Sequence, residues 1–341
     1  MKVPQSPPKP PPCSPKGERL VTFQPPLGGQ RGALGGFLIV LLGPTGVGKT
    51  ALCIDIAKTY NIPIINADSR QIYRDIPIGT AAPTAEQQRE VEHYFVGTLG
   101  LDQYYSASLY EENVMSLLQR LFAEHNVALL SGGSMMYIDA VCNGIDQMPT
   151  ISETLRQEIL SQYDAEGLEP LLRRLQQLDP EYYDIVDRKN PRRVIHALEI
   201  CIQTGQTYTS FRTKDTPKSP LHVGDRDFNI IKIGLNRPRE ELFTRINERV
   251  LQMIDSGMID EARRVYPLRH LNSLNTVGYK ELFRYFDGGF TLDEAIARIQ
   301  KNTRVYCKKQ LTWFKRDESI NWFHPDDKTA ILNFINERLN P

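Results

Sequence analysis

The sequence lacks the features of a disulfide-stabilised, zinc-binding or membrane-spanning protein. Its five cysteines are far apart and form no C-x-x-C pair (Cys13, Cys53, Cys142, Cys201, Cys307). This argues against a disulfide framework or a zinc site and favours a reducing compartment. No apolar run approaches the ~18–20 residues that span a bilayer, so we expect no membrane association. Residues 1–16 have no apolar segment of the kind found in secretory signals, and we therefore expect a cytoplasmic protein.

The chain also lacks a net charge, because 41 lysines and arginines balance 41 aspartates and glutamates. A global electrostatic field therefore cannot attract a nucleic acid, and any polyanion must meet local basic patches. With 341 residues the chain can form a sizeable core. That length suits one large domain with a smaller inserted one.

Residues 1–35 are rich in proline and glycine, and we expect a disordered tail there. Beyond it, apolar segments at Phe37–Leu42, Ile62–Ala67 and Asn126–Ser131 are typical of strands, and Ser108–Glu124 has helical spacing. This alternation predicts the α/β class, with a P-loop-type parallel sheet flanked by helices.

The pattern becomes purely helical after Gly144, with leucines at helical intervals from Leu155 to Leu175. We therefore predict a small all-helical insertion domain at residues 146–225, which divides the catalytic core into residues 36–145 and 226–325. In the second part of the core we expect one strand and two long helices, at Phe228–Leu235, Arg239–Val265 and Thr291–Phe314.

A glycine-rich octapeptide separates the first strand from the first helix and fits G-x-x-x-x-G-K-[ST] at every fixed position. It reads Gly43, Pro44, Thr45, Gly46, Val47, Gly48, Lys49 and Thr50. Backbone N–H groups and the positive end of the helix dipole form an anion cradle in such a loop. Lys49 adds a cation, and the Thr50 hydroxyl can bind a phosphate or Mg²⁺. The loop predicts a site for a di- or triphosphate.

The motifs that accompany this loop in nucleotide-hydrolysing proteins are missing. The sequence has no guanine-reading N-K-x-D, and the strand at Val127–Leu130 ends in Ser131 instead of an Mg²⁺-binding acid. Asp68 follows the strand at Ile62–Ala67, where open α/β sheets bind ligands. Aspartate is also a common helix N-cap, so this segment alone leaves both interpretations open.

Two acid-poor basic clusters point to a partner larger than a nucleotide. Four cations lie within Arg188–Arg193, and seven lie between Ile296 and Arg316, where Tyr306, Trp313 and Phe314 are interleaved with them. A single cluster of this kind is usually a solvated helix face. Two clusters with aromatic residues favour RNA.

Six blocks of the sequence together resemble the tRNA dimethylallyltransferases, also called tRNA isopentenyltransferases, from about Leu38 to Phe323. They are GPTGVGKT (43–50), INADSRQIYRDIPIGTAAP (65–83), SGGSMMYIDAV (131–141), NPRRVIHALEI (190–200), NTVGYKEL (275–282) and RVYCKKQLTWF (304–314). The resemblance implies transfer of a dimethylallyl group from dimethylallyl diphosphate to N6 of the adenosine at tRNA position 37. It makes the diphosphate a leaving group rather than a phosphoryl donor, with Mg²⁺ as cofactor, a monomer as the working form, and the insertion gripping the anticodon stem-loop.

The resemblance also implies roles for individual residues. The catalytic residues it implies are Asp68 as the base, Thr45 near the same centre with a hydrogen bond to the acceptor or the diphosphate, and Arg245 reaching the diphosphate. Residues 43–50 would bind the diphosphate and Thr50 the metal. The tRNA contacts it implies are Asp68, Ser69, Arg70, Gln71, Ser134, Arg192, Arg193, His196, Gly278, Tyr279 and Lys280.

Three positions depart from the usual family pattern. Met135 replaces a glycine, Ala82 replaces a lysine, and His196 replaces an arginine. These changes concern RNA contacts rather than the reaction. The alternatives are an adenylate isopentenyltransferase, a P-loop small-molecule kinase and a non-catalytic RNA-binding protein.

Overall fold

The computed structural model describes residues 36–145, 148–149, 151–212, 222–223 and 226–340. The predicted disordered tail at residues 1–35 lies outside the described residues. Among the described residues, no helix is long and apolar enough to cross a membrane.

Six parallel strands form the central sheet, in the order β3-β2-β4-β1-β7-β8. The strands are β1 (Phe37–Leu42), β2 (Ile64–Ala67), β3 (His93–Tyr94), β4 (Val127–Gly132), β5 (His222–Val223), β6 (Arg226–Asp227), β7 (Asn229–Leu235) and β8 (Asn321–Phe323); β5 and β6 lie outside this sheet. The middle strand β1 is buried on both faces, which explains its uninterrupted apolar sequence. Leu42 at its carboxyl end is paired in register with Gly132 of β4 and Gly234 of β7.

Helices account for most of the remaining described residues. They are α1 (Lys49–Tyr60), α2 (Ala85–Glu90), α3 (Ala107–Glu124), α4 (Met135–Asn143), α5 (Glu153–Glu166), α6 (Leu168–Leu178), α7 (Pro180–Ile185), α8 (Pro191–Thr204), α9 (Tyr208–Phe211), α10 (Arg239–Asp255), α11 (Met258–Val265), α12 (Tyr279–Phe286), α13 (Leu292–Phe314) and α14 (Lys328–Leu339). The single long helix predicted at Arg239–Val265 is wrong, because Gly257 has φ +98° and separates α10 from α11. A left-handed glycine of this kind is a common helix terminator.

The chain forms two compact units. The first contains the described residues up to Tyr104, together with Arg120–Met135 and everything from Arg226 onward. Its core surrounds the sheet: Ile39 and Leu41 of β1, Ile56 of α1 and Ile233 of β7 are fully buried in one cluster.

The second unit contains Tyr105–Gln119 and Met136–Asp225, so it includes part of α3 and α4 as well as the predicted insertion. Residues 151–212 form the helices α5 to α9 and no strand. Leu171, Leu175 and Leu198 are fully buried in its core. The contribution of α3 was not predicted, and it has a local cause: Tyr110 of α3 stacks on Tyr137 of α4 with ring centroids 4.2 Å apart.

Candidate active site

The glycine-rich loop joins the carboxyl end of β1 to the start of α1, as its sequence predicted. Gly48 is the N-cap of α1 and has φ +109°, a conformation that favours glycine. Gly46 has φ +81°, and a Cβ there would lie 2.8 Å from Ile246 Cγ1. Both glycines therefore allow the loop to curl tightly at the positive end of the helix.

Lys49 holds the first turn of this loop from inside. Its Nζ donates hydrogen bonds to the carbonyl oxygens of Gly43 at 2.8 Å and Pro44 at 2.9 Å. Desolvation and, to a smaller extent, the nearby Arg249 charge lower the pKa of Lys49, and the Asp68 charge opposes them; together they bring it to about 8. The free site thus holds a cation whose charged form an arriving anion would stabilise.

Two arginines bind two further carbonyl groups of the loop. Arg237 Nε donates to Val47 O at 2.9 Å, and Arg245 Nε donates to Gly46 O at 3.1 Å. Arg237 is itself paired with Asp326 at 2.5 Å. Four of the five carbonyl groups from Gly43 to Val47, all except that of Thr45, are therefore bound to cations, which fixes the loop before any anion arrives.

The buried side chain of Gln310, in α13, holds Thr45 in place. Its Oε1 accepts a hydrogen bond from Thr45 N at 2.9 Å, and its Nε2 donates to Gly133 O at 2.7 Å. Gln310 is only 2% exposed. One amide therefore ties the loop to the segment that follows β4, and it also occupies the Thr45 N–H.

These residues line a cavity of about 540 Å³, which we call the phosphate cavity. Thr45, Gly46, Gly48, Lys49 and Thr50 contribute to its wall, as do Asp68, Gln71, Arg245, Arg249, Tyr306 and Gln310. The predicted loop residues Gly43, Pro44 and Val47 are absent from this lining and act through the loop's conformation.

Asp68 lies at the ligand-binding edge of the sheet, and it does not cap a helix, because the next described helix is α2 (Ala85–Glu90). Its Oδ1 accepts hydrogen bonds from the backbone N–H of Arg70 at 2.9 Å and of Gln71 at 3.3 Å, which closes a turn. Its other oxygen makes no hydrogen bond to any described residue, and the side chain lines the phosphate cavity. One carboxylate oxygen is thus fixed while the second is free to accept a proton or a hydrogen bond.

A second cavity, of about 300 Å³, adjoins the first. The two share the lining residues Thr45, Asp68, Thr80, Ala81, Arg249 and Tyr306. The rest of the second cavity comes from distant segments, including Ser69, Arg70, Val250, Asn275, Gly278, Lys280 and Thr303. Asp68 therefore lies where the two cavities meet.

Arg249 and Tyr306 complete this junction, and neither was singled out as a site residue from the sequence. Arg249 donates to Thr45 Oγ1 at 3.3 Å, and desolvation lowers the pKa of its guanidinium while Asp68 raises it. Desolvation, reinforced by the Asp68 charge, raises the pKa of Tyr306 to about 12. The signal for Arg249 was its i+4 spacing from Arg245 on one helix, which places both on the same face.

The structure corrects the direct RNA contact predicted for Tyr279. Its side chain is fully buried, and its hydroxyl donates to Glu261 Oε1 at 2.5 Å. The Glu261 carboxylate also accepts from Ile78 N at 2.8 Å and Gly79 N at 2.7 Å. Burial and the Glu261 charge raise the pKa of Tyr279 above the ordinary tyrosine value. Tyr279 therefore supports the wall of the second cavity from behind.

The neighbouring predicted contacts divide between supporting and accessible positions. Arg70 Nη1 donates to the carbonyls of Asn272 and Ser273 at 3.1 and 3.0 Å, and Gln71 Nε2 donates to the Ala81 carbonyl at 3.0 Å. These bonds bring segments 68–71, 80–81 and 272–273 together. Lys280 is exposed at the rim of the second cavity.

The other predicted RNA contacts lie elsewhere. Ser134 is only 9% exposed, donates its N–H to Ala67 O at 3.0 Å, and lines neither cavity. Arg192 and Arg193 are exposed on α8 in the second unit. His196 is half-buried there, with Nδ1 3.5 Å from Glu199 Oε2.

The aromatic residues of the second basic cluster do not form one surface. Phe314 is buried in the core, whereas Tyr306 lines the junction of the cavities. Arg316 lies over the Trp313 ring at 4.8 Å. The interleaved pattern at residues 296–316 therefore serves packing and the site as well as the protein surface.

Within the described residues, no group of three histidine, cysteine, aspartate or glutamate side chains could hold a metal ion by itself. Thr50 is exposed and lines the phosphate cavity, so its hydroxyl can contribute one oxygen. Mg²⁺ commonly takes a single protein oxygen together with phosphate oxygens and water. The residues therefore fit a metal that arrives with a diphosphate.

A glycine-rich anion loop at the carboxyl edge of a parallel sheet defines a P-loop-type α/β protein. The sequence profile of the IPP transferase family matches residues 71–317. A tRNA dimethylallyltransferase 1 of Phocaeicola vulgatus is 58% identical over 298 residues, which are 87% of this chain and 97% of that protein. The crystal structure of the tRNA isopentenylpyrophosphate transferase of Bacillus halodurans is 33% identical, with a TM-score of 0.64, covering 89% of this chain and 96% of that one. The chain belongs to the IPP transferase family.

Proposed function

We propose that this protein transfers the dimethylallyl group of dimethylallyl diphosphate to N6 of the adenosine at position 37 of tRNA, releasing diphosphate. The observation that carries the proposal is the junction of two cavities at Asp68. One cavity has the cations and loop for a diphosphate, and the other has room for a base. An allylic carbon at the junction would lie between its leaving group and its acceptor, which is the geometry that in-line displacement needs.

Departure of the diphosphate requires stabilisation of the charge that develops on its bridging oxygen. Lys49, Arg245 and Arg249 line the phosphate cavity with fixed positive charge. The N–H groups of Gly46, Gly48 and Lys49 add donors that are already oriented, whereas the Val47 N–H donates to Pro44 O within the loop. Mg²⁺ bound through Thr50 and the diphosphate oxygens would supply further neutralisation of that charge.

The acceptor is a weak nucleophile, because the N6 lone pair of adenine is delocalised into the ring. The N6–C1 bond forms as the C1–O bond breaks, and the diphosphate leaves with the electron pair of that bond. The unbonded oxygen of Asp68 takes the proton from N6, while its other oxygen stays fixed by Arg70 and Gln71 N–H. Thr45 lies at the same junction and can donate or accept a hydrogen bond there.

For adenosine 37 to reach the junction, the base must leave the anticodon-loop stack. The second cavity would receive it, with Ser69, Gly278 and Lys280 at its wall. The basic residues Arg192 and Arg193 of the helical unit suit the phosphates of the anticodon stem-loop. We also propose a monomer as the working form and the cytoplasm as the location of the reaction.

The direct test combines the purified protein, unmodified tRNA with an A-rich anticodon loop, Mg²⁺ and dimethylallyl diphosphate, followed by mass spectrometry of the nucleosides. We expect N6-isopentenyladenosine in the tRNA and free diphosphate in equal amount. Prenylated AMP in a parallel reaction without tRNA would instead support an adenylate isopentenyltransferase. Transfer of label from γ-labelled ATP would support a small-molecule kinase. RNA binding without any product would support a non-catalytic RNA-binding protein.

A further inference from the structure

A third cavity, of about 540 Å³, lies at the carboxyl ends of β7 and β8. Asn236 directly follows β7 and His324 directly follows β8, and both line it. We call it the β7–β8 cavity. It shares no lining residue with the phosphate cavity or the second cavity. The carboxyl edge of a parallel sheet is where open α/β folds bind ligands, and the proposed reaction uses only the part near β1, β2 and β4.

Three cations of this cavity have no acidic partner. Arg239, Lys308 and Lys315 line it, and none of them forms an ion pair with a described residue. Arg239 and Lys308 lie over the Phe243 ring, at 5.2 and 5.5 Å from its centroid. Cations held on an aromatic face stay available to an anion, because the ring does not neutralise their charge.

The remaining charged groups largely offset each other. Arg237 is bonded to Asp326 at 2.5 Å and to Glu241, and His324 lies 3.6 Å from the Asp326 carboxylate and 3.7 Å from the Glu241 carboxylate. With a neutral His324, the two carboxylates exceed Arg237 by one negative charge, which is less than the three positive charges of Arg239, Lys308 and Lys315. The cavity therefore carries a net positive charge that suits one or two phosphate groups.

Asn236 supplies an independent indication of a ligand. Its side-chain Oδ1 is one of two buried side-chain oxygens without a hydrogen-bond partner among the described residues; the other is Thr98 Oγ1. The backbone N–H of Asn236 is fixed by Phe323 O at 3.0 Å, so the residue is held in place. A buried acceptor without a donor is destabilising, and a ligand with an amino or hydroxyl group would remove that penalty.

The aromatic lining completes the chemistry. Trp322 and Phe323 of β8 face the same cavity as Asn236 and the three cations. A planar ring that stacks on an aromatic side chain, an N–H donor and a phosphate are together the parts of a nucleotide. We propose that the β7–β8 cavity binds a nucleotide, with phosphate against Arg239, Lys308 and Lys315, the base against Trp322, and a base amino group donating to Asn236 Oδ1. The nucleotide is either free in solution or part of a bound RNA.

The chain contains two tryptophans, so Trp313→Phe leaves Trp322 as the only indole reporter. AMP is titrated into this variant while saturating pyrophosphate occupies the phosphate cavity. We expect saturable quenching of Trp322 that is unaffected by pyrophosphate and persists in Lys49→Ala. Adding Arg239→Ala or Lys315→Ala should weaken AMP binding about tenfold each, as expected for loss of a charge-assisted hydrogen bond. Lys301→Ala is the matched control, because Lys301 is exposed on α13 and lines none of the three cavities.

A second titration uses unmodified tRNA and distinguishes the source of the nucleotide; this arm rests on the proposed function. Quenching by tRNA but not AMP, lost in Arg239→Ala and Lys315→Ala, identifies an RNA-borne nucleotide. Filter binding is measured in parallel: failure of tRNA to bind any variant rejects the proposed function and leaves the AMP result standing. Two outcomes overturn the nucleotide site: no response to either ligand, or AMP binding that pyrophosphate displaces and Lys49→Ala abolishes.

Discussion

The phosphate cavity takes most of its chemistry from consecutive residues, whereas the second cavity is assembled from segments as far apart in sequence as Thr45 and Tyr306. Gly43–Thr50 form the anion loop, and its glycine conformations follow from the sequence itself. The second cavity needs Asp68, Val250, Gly278 and Thr303 to come together through tertiary bonds. The first site is thus specified by local backbone geometry, and the second by buried carboxylates such as Glu261 that hold loops in place.

Asp68 belongs to both cavities, so its substitution tests whether chemistry can be separated from binding. Asp68→Asn keeps an oxygen that can cap Arg70 and Gln71 N–H but removes the base. We expect turnover to fall by about 10²–10⁴-fold, the usual contribution of a general base. Dissociation constants for tRNA and pyrophosphate should change little.

Single-turnover prenylation and filter binding on the same preparation measure both quantities. Asp75→Asn is the matched control, because Asp75 is exposed and lines neither cavity. Near-normal turnover in Asp68→Asn would exclude the base assignment.

Lys49→Ala tests whether the phosphate cavity acts on the donor alone. The variant loses a cation at the leaving group and two bonds to the loop carbonyls. We expect kcat/KM for dimethylallyl diphosphate to fall about 10²–10³-fold, as for removal of a fixed oxyanion donor. The dissociation constant of tRNA, measured without donor, should stay within about twofold, because Lys49 does not line the second cavity. A loss of tRNA affinity as large as the loss for the donor would contradict this expectation.

The lowered pKa of Lys49 gives the phosphate cavity a pH dependence. Its pKa in the free protein is about 8, below the ordinary lysine value of 10.5, and a bound diphosphate raises it again. Lys49 is charged below pH 8 and loses its proton above it, so donor binding must take up a proton at higher pH. We expect the pyrophosphate dissociation constant to rise up to about tenfold per pH unit above 8.

Isothermal titration between pH 7 and 9.5 measures this slope, with proton uptake read from buffers of different ionisation enthalpy. Lys49→Arg is the comparison, because arginine remains charged throughout this range. The same slope in wild type and Lys49→Arg would assign the titration to another group.

Tyr279→Phe tests the second cavity through a residue that supports its wall without lining it. The variant removes the hydroxyl bound to Glu261 and leaves that buried carboxylate with the Ile78 and Gly79 N–H groups. We expect a loss of about 1–3 kcal/mol in the free energy of unfolding. The tRNA KM should rise a few fold while the donor KM stays unchanged.

Denaturant unfolding and steady-state kinetics with each substrate varied in turn check these expectations. Tyr285→Phe serves as the control, since Tyr285 is on the same helix and lines neither cavity. A donor KM that rises with the tRNA KM would show that the wall supports both sites.

The contrast between a site built from consecutive residues and one built from distant segments explains what could be predicted from the sequence. Gly43–Thr50 and Asp68 stand in local patterns with a direct physical meaning, and the structure places them at one sheet edge. Gln310 lies in a quoted motif, but its bonds to Thr45 and Gly133 join segments 265 and 177 residues away. No spacing rule predicts such a partner.

Tyr279 illustrates the opposite difficulty. Its place in a family motif implied an RNA contact, although motif membership does not distinguish a side chain that touches a ligand from one that supports the wall. The break between α10 and α11 was missed for a related reason. Gly257 interrupts a continuous apolar pattern, and only its left-handed conformation ends the helix.

Helix α13 connects the two cavities mechanically. Its residues Thr303 and Tyr306 line the second cavity, and one turn later Gln310 holds Thr45 of the anion loop. A base that shifts this helix by a fraction of an ångström would therefore also shift the donor loop. Thermodynamic reciprocity then requires each substrate to change the affinity of the other by the same factor. The free energy of binding pyrophosphate and tRNA together should therefore differ from the sum of their separate binding free energies. The difference is the coupling free energy that this helix transmits.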